Sequence, residues 1–297
     1  MRFDVVSFGS AFVDVYLGSP GFKKVGPALC EVYGGKIDVS QLVITTGGGA
    51  TNTAVGFERL GLQTAAVCCV GRDDWGLFIR KELRREGVSP LYIQQVEAPT
   101  SYSTILVAPD GGRTALVYRG ASNELAGGKV EWDKLDPNWF YVSSLGGNFN
   151  LLSMIIRQAQ KQKIKVALNP GSQEIRAREK LRQFLPHVEI LLLNRQEAEA
   201  LGKISGPKII AVTEGRKGAS LTAGKKTIKA AAVKVKTVEE TGAGDAFGSA
   251  FVAGIINGLK PETALKMGLL NGAAVTTQFG PKAGLLFATE MNQWLKK

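Results

Sequence analysis

The chain has 297 residues and a formal net charge of +11, with 44% of its residues hydrophobic and 21% charged. This length can bury a large core, and this composition is ordinary for a soluble globular protein. The basic residues form small, dispersed clusters without interleaved aromatic residues, which argues against a nucleic-acid partner and suits an anionic nucleotide. No apolar run approaches the roughly 18 residues of a membrane helix, which argues against a membrane partner.

The sequence contains three cysteines and one histidine. Three cysteines cannot form a disulfide framework, and Cys68 and Cys69 are adjacent in an apolar run, so we expect a reducing, cytoplasmic setting. The first residues lack a signal-peptide pattern. Because His187 is the single histidine, His-based triads and His-rich metal sites are not expected.

Hydrophobic periodicity and turn residues predict strands and helices that alternate along most of the chain. Strands are expected over 3–8, 64–70, 140–143, 165–168, 190–193, 209–212 and 219–221. Helices are expected over 50–60, 77–86, 151–162, 175–185, 196–201, 246–257 and 261–278. Alternation with continuous apolar strands predicts an α/β fold whose mostly parallel sheet is covered on both faces.

Two β-rich patches interrupt this alternation, near residues 12–46 and 99–120. In the second patch, Pro109-Asp110-Gly111-Gly112 separates two β-rich segments and is a strong hairpin signal. We expect the two patches to form one small accessory sheet. The chain is therefore predicted to be a single domain, residues 1–297, with a β lid.

The sharpest motif is Thr241-Gly242-Ala243-Gly244-Asp245, which opens the predicted helix 246–257. Unpaired N–H groups and the helix dipole at such a terminus bind phosphate or stabilise developing negative charge. Asp245 lies within reach of the same point, where a carboxylate suits a general base that deprotonates a hydroxyl nucleophile. The alternative is that Asp245 is only an N-cap and the glycines only form a turn.

A second motif, Gly47-Gly48-Gly49-Ala50-Thr51-Asn52, opens the predicted helix 50–60. Glycines let the backbone approach a ligand closely, and Asn52 offers both a donor and an acceptor to sugar hydroxyls. The motif is not a P-loop, because no Gly-Lys-Ser/Thr follows. A Gly-rich turn between a strand and a helix is the alternative.

Three weaker signals follow the ends of predicted strands. Asn194 and Glu197 share one face of a helix start, where they suit Mg²⁺ and its waters or, alternatively, a capping box. The Gly-rich turn 213–218 lies where α/β proteins hold nucleotides, although a lone turn is weak evidence. Asp14 follows the first strand and suits two substrate hydroxyls, although a single loop Asp is usually only solvated.

Together these motifs resemble the ribokinase-like, or PfkB, family of carbohydrate kinases. The segment 48–87, with Val70-Gly71-Arg72-Asp73-Asp74-Trp75-Gly76, is similar to the family's N-terminal signature, and 238–254 is similar to its C-terminal signature. Two long signatures in the family's order are a specific match. The resemblance implies a ribokinase-like three-layer α/β/α domain with a central, mostly parallel sheet and a small β-sheet lid.

The resemblance further implies an ATP-dependent, Mg²⁺-dependent kinase that transfers the γ-phosphate to a hydroxyl of a small sugar or sugar acid. It implies that Asp245 is the base beside an anion hole formed by Gly242, Ala243 and Gly244. The substrate-binding residues that it implies are Asp14, Gly48, Gly49, Asn52 and Arg119. The nucleotide-binding residues that it implies are Asn194, Glu197, Thr213, Gly215, Gly218 and Asn271, with Asn194 and Glu197 holding Mg²⁺ through water.

Family lids often pair between two subunits, and an exposed lid sheet has edges that need covering, so the resemblance predicts a homodimer through the lid. The chain departs from the family pattern at two places. Val238-Glu239-Glu240-Thr241 stands where members with a monovalent-cation site often read Asp-Thr-Thr, which argues against K⁺ activation. Ser144-Leu145-Gly146-Gly147 stands where ribokinases have a Glu, which argues against ribose as the substrate.

Two alternatives stay open beside the sugar kinase. One is a nucleoside kinase of the same fold, acting on adenosine or another ribonucleoside, with Phe12, Tyr16 and Tyr102 as candidates for the base slot or equally for the lid core. The other is a catalytically silent sugar- or nucleotide-binding protein, against which the intact Gly-Ala-Gly-Asp argues. Arg119 is able to pair with a carboxylate, which keeps sugar acids among the acceptors.

Overall fold

The computed structural model describes residues 2–26, 28–30, 33–109 and 112–296. Over these ranges the strands are β1 (Val5–Phe8), β2 (Phe12–Gly18), β3 (Lys23–Val25), β4 (Ala28–Cys30), β5 (Gln41–Gly47), β6 (Thr64–Val67), β7 (Cys69–Gly71), β8 (Gln94–Val96), β9 (Tyr102–Val107), β10 (Arg113–Tyr118), β11 (Trp139–Val142), β12 (Lys165–Leu168), β13 (Ile190–Asn194), β14 (Ile209–Thr213), β15 (Ala219–Ala223) and β16 (Lys226–Ala230). The helices are α1 (Gly49–Arg59), α2 (Asp74–Arg85), α3 (Phe149–Gln162), α4 (Ser172–Arg176), α5 (Arg178–Arg182), α6 (Arg195–Leu201), α7 (Ala243–Ile256), α8 (Pro261–Val275) and α9 (Ala288–Leu295). None of the helices within the described ranges has the length and hydropathy needed to cross a membrane.

The central sheet has eight strands in the order β16-β15-β14-β13-β12-β11-β1-β6. The six strands from β14 to β6 are parallel, and β15 and β16 add an antiparallel edge. Side chains alternate between the two faces: Val6 and Phe140 belong to the cluster under α3 to α6, whereas Val5 and Tyr141 belong to the cluster under α1 and α7 to α9. The predicted α/β fold with a mostly parallel sheet is therefore confirmed.

The apolar run 64–70, which we predicted to be one strand, divides at Cys68. Its first part, β6, pairs with β1 in the central sheet, and its second part, β7, pairs with β8 in a separate two-stranded sheet. Cys68 and Cys69 are both fully buried but point into different apolar clusters. All three cysteines of the chain are free thiols.

The helix expected over 175–185 is instead two short helices, α4 and α5, with Ala177 between them in a non-helical conformation. The Glu174 side chain explains the early start at residue 172. Its carboxylate accepts hydrogen bonds from the backbone N–H groups of Gly171, Leu145 and Gly147. This buried carboxylate fixes the loop after β11 and holds the chain where α4 begins.

The lid is a four-stranded sheet in the order β10-β9-β2-β5, so both β-rich patches contribute to one sheet. In its hairpin, β9 and β10 pair antiparallel with Arg113 opposite Val107. Asp110 and Gly111 of the predicted turn lie outside the described residues. Because β2 follows β1 after a three-residue connection, the lid begins at the carboxyl edge of the central sheet, where open α/β sheets bind their ligands.

Candidate active site

Helix α7 begins at a glycine that no other residue can replace without strain. Gly242 is the N-cap with φ of 82°, in the left-handed region. A Cβ atom built on Gly242 would lie 2.6 Å from Cβ of Pro281, so a side chain is excluded on steric grounds as well. The turn therefore brings the first N–H groups of α7 to the surface at one point.

The N–H groups of this first turn are only partly used inside the protein. The Ala243 N–H donates to the Glu240 carbonyl at 3.3 Å, and the Ala246 N–H donates to the Gly242 carbonyl at 2.8 Å. Between them, the N–H groups of Gly244 and Asp245 have no acceptor in the part of the chain that the structure describes. These two N–H groups, aided by the helix dipole, are available to an anion, and the anion hole expected at Gly242, Ala243 and Gly244 stays a prediction.

The Asp245 carboxylate lies at the same point. Its Oδ2 accepts a 2.8 Å hydrogen bond from Nδ2 of Asn52, on α1. Burial, and to a smaller extent the Asp14 charge, raise the pKa of Asp245, while the Asn52 hydrogen bond and the Lys282 charge lower it; the net result is a pKa of about 6. A carboxylate with a pKa just below neutrality is ionised at pH 7 and still basic enough to take a proton.

The other oxygen of Asp245 faces the start of α1. A Cβ atom built on Gly49 would lie 3.8 Å from Asp245 Oδ1 and 2.3 Å from Ser143 Oγ, so a glycine is needed for the helix to approach this closely. Gly48, the N-cap of α1, has φ of 97°, and its Cβ would lie 2.5 Å from the Ser10 carbonyl oxygen. The second Gly-rich motif therefore packs backbone directly beside the carboxylate.

Asp14 reaches the site from the lid. It lies on β2, is 6% exposed, and stands opposite Ser103 of β9, whose side chain hydrogen-bonds it. A Cβ atom on Gly47 would lie 1.8 Å from Asp14 Oδ2, so that glycine makes room for the carboxylate. Burial raises the pKa of Asp14 above its ordinary value. The structure thus brings Asp14 near enough to Asp245 for its charge to raise the pKa of Asp245.

A cavity of about 290 Å³ opens beside the first turn of α7. Its lining includes the predicted nucleotide residues Thr213, Gly215 and Gly218, together with Gly244 of that turn. Arg216 of the predicted turn also lines the cavity. The structure places residues there that the sequence analysis did not identify: Arg113, Val233, Val235, Phe247 and Leu269. The two valines lie between β16 and α7 in a segment without regular structure, so no periodic pattern marked them.

Asn194 and Glu197 form a complete capping box at the start of α6. Asn194 Oδ1 accepts from the Glu197 N–H at 2.9 Å, and Glu197 Oε2 accepts from the Asn194 N–H at 2.8 Å. Burial raises the pKa of Glu197. Asn194 stands beside Thr213 in the parallel register of β13 and β14, so the pair lies next to the cavity, at the same sheet edge.

Neither Asn271 nor Arg119 lines this cavity. Asn271 is fully buried; its amide donates to the Ala246 carbonyl at 3.0 Å and accepts from the Leu286 N–H at 2.9 Å, so both polar atoms serve the protein. Gly272, its neighbour, lines the cavity instead. The exposed Arg119 side chain makes no hydrogen bond or ion pair within the described ranges, and a role for it in substrate binding stays a prediction.

A buried lysine near the Asp245 carboxylate was missed by the sequence analysis. Lys282 is 3% exposed, and its Nζ donates to the Thr46 carbonyl at 2.6 Å and to Asn52 Oδ1 at 3.2 Å. A lysine between Pro281 and Ala283 looks like a solvated loop residue, because lysine is almost never buried without partners. No pattern in one sequence identifies its partners, which lie more than two hundred residues away.

Comparison with known proteins agrees with this geometry. The family model described as pfkB family carbohydrate kinase matches residues 2–286. An uncharacterized sugar kinase of Archaeoglobus fulgidus is 27% identical over 78% of this chain and 98% of its own. A ribokinase of Bacillus subtilis is 26% identical over 84% of this chain and 87% of its own.

Among solved structures, an adenosine kinase from Sinorhizobium meliloti superposes with a TM-score of 0.84, at 26% identity, over 99% of this chain and 100% of that one. The relatives therefore include sugar kinases and nucleoside kinases with one shared fold. The family match covers nearly the whole chain and includes both Gly-rich motifs. The chain belongs to the pfkB family of carbohydrate kinases, which are ATP-dependent phosphotransferases with an alcohol group as acceptor.

Proposed function

We propose that the protein transfers the γ-phosphate of ATP to a hydroxyl of a small sugar or sugar acid, with Asp245 as the base. The observation that carries the proposal is the position of the Asp245 carboxylate beside the Gly244 and Asp245 N–H donors, between the lid and the cavity. A base, an anion hole and an adjoining cavity of about 290 Å³ suit in-line phosphoryl transfer.

In this mechanism Asp245 Oδ1 takes the proton of the acceptor hydroxyl, since Oδ2 is already bound to Asn52. The two N–H donors of α7 stabilise the charge that spreads over the transferring group. Asp14 holds other hydroxyls of the acceptor from the lid side. The lid covers this site and excludes water, which limits wasteful hydrolysis of ATP.

The residues near the cavity suit a Mg²⁺ ion that is bound mainly by the phosphates of the nucleotide. No group of three or more His, Cys, Asp or Glu side chains in the described ranges is arranged to hold a metal ion. Mg²⁺ usually keeps several waters and one or two carboxylates, and Glu197 supplies one such carboxylate. When bound, the ion neutralises phosphate charge, while Asn194 and Glu197 orient its waters.

A nucleoside is the second candidate acceptor, and the similarity to an adenosine kinase over 99% of the chain favours keeping it. Of the aromatic residues considered for a base slot, Tyr16 is 1% exposed and packs edge-on against Phe279, so it belongs to the lid core. Tyr102 is partly exposed and packs against Trp75, so this pair of rings is more accessible than Tyr16. The acceptor panel below separates the two classes.

The proposal extends to a cytoplasmic homodimer that pairs through the lid. The outer strands β5 and β10 expose large apolar side chains, including Leu42, Ile44, Leu116 and Tyr118. Exposed edge strands of this kind are stabilised by pairing with a second chain. Sedimentation velocity of the wild type and of Leu42→Lys/Leu116→Lys tests this, because only a lid-mediated dimer dissociates on adding charge there.

The test of the function is ADP release with MgATP and a panel of sugars, sugar acids and nucleosides. We expect one class to turn over strongly, and Asp245→Asn to lower kcat by about a thousandfold or more. The matched control is Asp74→Asn, which removes an exposed carboxylate from the first turn of α2 and leaves turnover unchanged. Equal turnover in Asp245→Asn and wild type overturns the mechanism; binding without turnover favours the catalytically silent alternative.

A further inference from the structure

Lys282 is a fully buried cation in the segment between α8 and α9. It donates to the Thr46 carbonyl, to Thr51 Oγ1 at 3.4 Å and to Asn52 Oδ1, and its Nζ lies 3.6 Å from Glu82 Oε1. These partners come from β5, α1 and α2. A buried charge is costly unless it is paired and hydrogen-bonded, so this network is either structural or functional.

The contact with Asn52 determines what that side chain presents to the base. An amide has one oxygen and one nitrogen, and Lys282 can only donate. Because Nζ of Lys282 holds Oδ1 of Asn52, the Nδ2 group must point the other way, toward Asp245 Oδ2. If the amide turned around, its oxygen would face the carboxylate and repel it.

Charge reinforces this arrangement. The titratable groups that face Asp245 are Asp14 from β2, Tyr141 from β11 and Lys282. Of these, Lys282 alone is a cation, and it lowers the pKa of Asp245 while Asp14 raises it. The groups that face Lys282 itself are Glu82 from α2, Glu86 at the C-terminal end of that helix, and Asp14.

We propose that Lys282 is a positioning residue of the phosphotransfer site, which acts through Asn52 to hold the Asp245 carboxylate oriented and ionised. Lys282 does not touch the acceptor. It fixes Oδ2 of Asp245 through the amide and leaves Oδ1 turned toward Gly49 for the incoming hydroxyl. This inference rests on the proposed function, since it assigns Asp245 the role of base.

The inference is tested with Lys282→Met and with the double variant Glu82→Gln/Lys282→Met. The double variant removes both members of the buried pair, so it avoids an unpaired Glu82 carboxylate and keeps an acceptor for Thr46 Oγ1. The matched control is Lys266→Met, an exposed lysine on α8. The readouts are thermal unfolding, kcat, the KM for ATP, and the carboxyl titration of Asp245 by ¹³C NMR of aspartate-labelled protein, with Asp245→Asn to assign the signal.

We expect both Lys282 variants to lower kcat by roughly tenfold to a hundredfold with little change in the KM for ATP. We also expect the Asp245 titration to move upward by on the order of one pH unit, because the opposing cation is gone. Asn52→Ala should produce the same direction of change, and Asn52→Ala/Lys282→Met should be no worse than the more severe single variant. Lys266→Met should match wild type.

An unchanged Asp245 titration and a kcat within about twofold of wild type in folded Lys282 variants would show a structural role only, and would overturn the inference. A fully additive Asn52/Lys282 double variant would overturn the route through Asn52. Failure of the proposed function looks different: wild type turns over no acceptor. In that case the Asp245 titration, which needs no substrate, still decides whether Lys282 controls this carboxylate.

Discussion

The guanidinium of Arg113, on lid strand β10, is ion-paired with the carboxylate of Glu239, six residues before Asp245. Glu239 is 5% exposed, and its Oε1 also accepts a hydrogen bond from the Thr241 N–H at 2.6 Å. Arg113 lines the cavity next to the first turn of α7. This ion pair therefore joins the lid to the loop that leads into α7.

We expect this ion pair to matter for catalysis more than for stability. Arg113→Met and Glu239→Gln should each lower kcat/KM for ATP by about tenfold. Because both substitutions remove the same ion pair, the double variant should be no worse than the more severe single variant. The measurement is a double-mutant cycle in steady-state kinetics. Arg72→Met is the control, because the Arg72–Glu97 pair is exposed and such pairs contribute little. Additive losses would show that the two residues act separately.

The same contact predicts how the enzyme responds to monovalent cations. The Glu239 carboxylate already has a guanidinium partner, so a bound K⁺ has little charge left to neutralise there. Turnover in KCl and in choline chloride at equal ionic strength should agree within about twofold. A strong dependence on KCl in wild type would contradict this. If the dependence arises only in Arg113→Met, the ion pair is what suppresses it.

The pH dependence follows from the pKa of Asp245, which burial raises to about 6. The base is active as a carboxylate, so kcat/KM should be on its plateau above this pKa and fall about tenfold per pH unit below it. Asp14 also has a raised pKa, and Asp14→Asn distinguishes the two groups. Because Asp14 raises the pKa of Asp245, the variant should shift the acid midpoint downward. Loss of the acid limb in Asp14→Asn would assign that limb to Asp14.

The anion hole is tested by adding one methyl group. A Cβ atom on Gly244 has no atom within 4 Å from the described residues beyond its chain neighbours and its own helix backbone, so Gly244→Ala should fold with unchanged or slightly higher stability. The methyl group nevertheless enters the space beside the Gly244 N–H, and kcat should fall by about tenfold or more with a raised KM for ATP. Gly128→Ala is the matched control, since Gly128 also has open space and lies outside the site. Wild-type kinetics in Gly244→Ala would exclude phosphate from this point.

Tyr141 gives a prediction about stability. Its hydroxyl is buried and has no hydrogen-bond partner in the part of the chain that the structure describes. A buried polar group without a partner costs about 1–3 kcal/mol, so Tyr141→Phe should leave the free energy of unfolding unchanged or raise it. Tyr92→Phe should lower it by about 0.5–1 kcal/mol, because the Tyr92 hydroxyl donates to the Lys134 carbonyl. Urea unfolding measures both; a loss above about 1 kcal/mol in Tyr141→Phe would reveal a partner for that hydroxyl.

Much of the fold was predictable because hydrophobic periodicity is a local property. The strand Lys165–Leu168 was predicted with its observed bounds, and the long helices were predicted to within a few residues. The strand 64–70 was predicted too long, because its division depends on two different pairing partners. The helix 175–185 was wrong as a single helix, because the chain leaves the helical conformation at Ala177; its early start at residue 172 depends on Glu174, which is held by a loop 27 to 30 residues earlier. Strand β16 and helix α9 were not predicted.

The site was predictable where the residues of a motif themselves determine its backbone conformation. Gly242 and Gly48 both occupy backbone conformations that favour glycine, so the sequence marked both helix starts. Asn52 was expected to bind substrate, and in the structure its nitrogen is engaged by Asp245. Lys282 could not be identified from the sequence, because its burial depends on partners that are distant along the chain.

The position of Lys282 in the chain ties the site to the end of synthesis. Every strand of both large sheets precedes residue 231, and α7 and α8 precede residue 276, but Lys282 donates to the carbonyl of Thr46, 236 residues earlier. A domain generally folds as a unit. The contacts around Asp245 are therefore completed only after this late segment of the chain has been made.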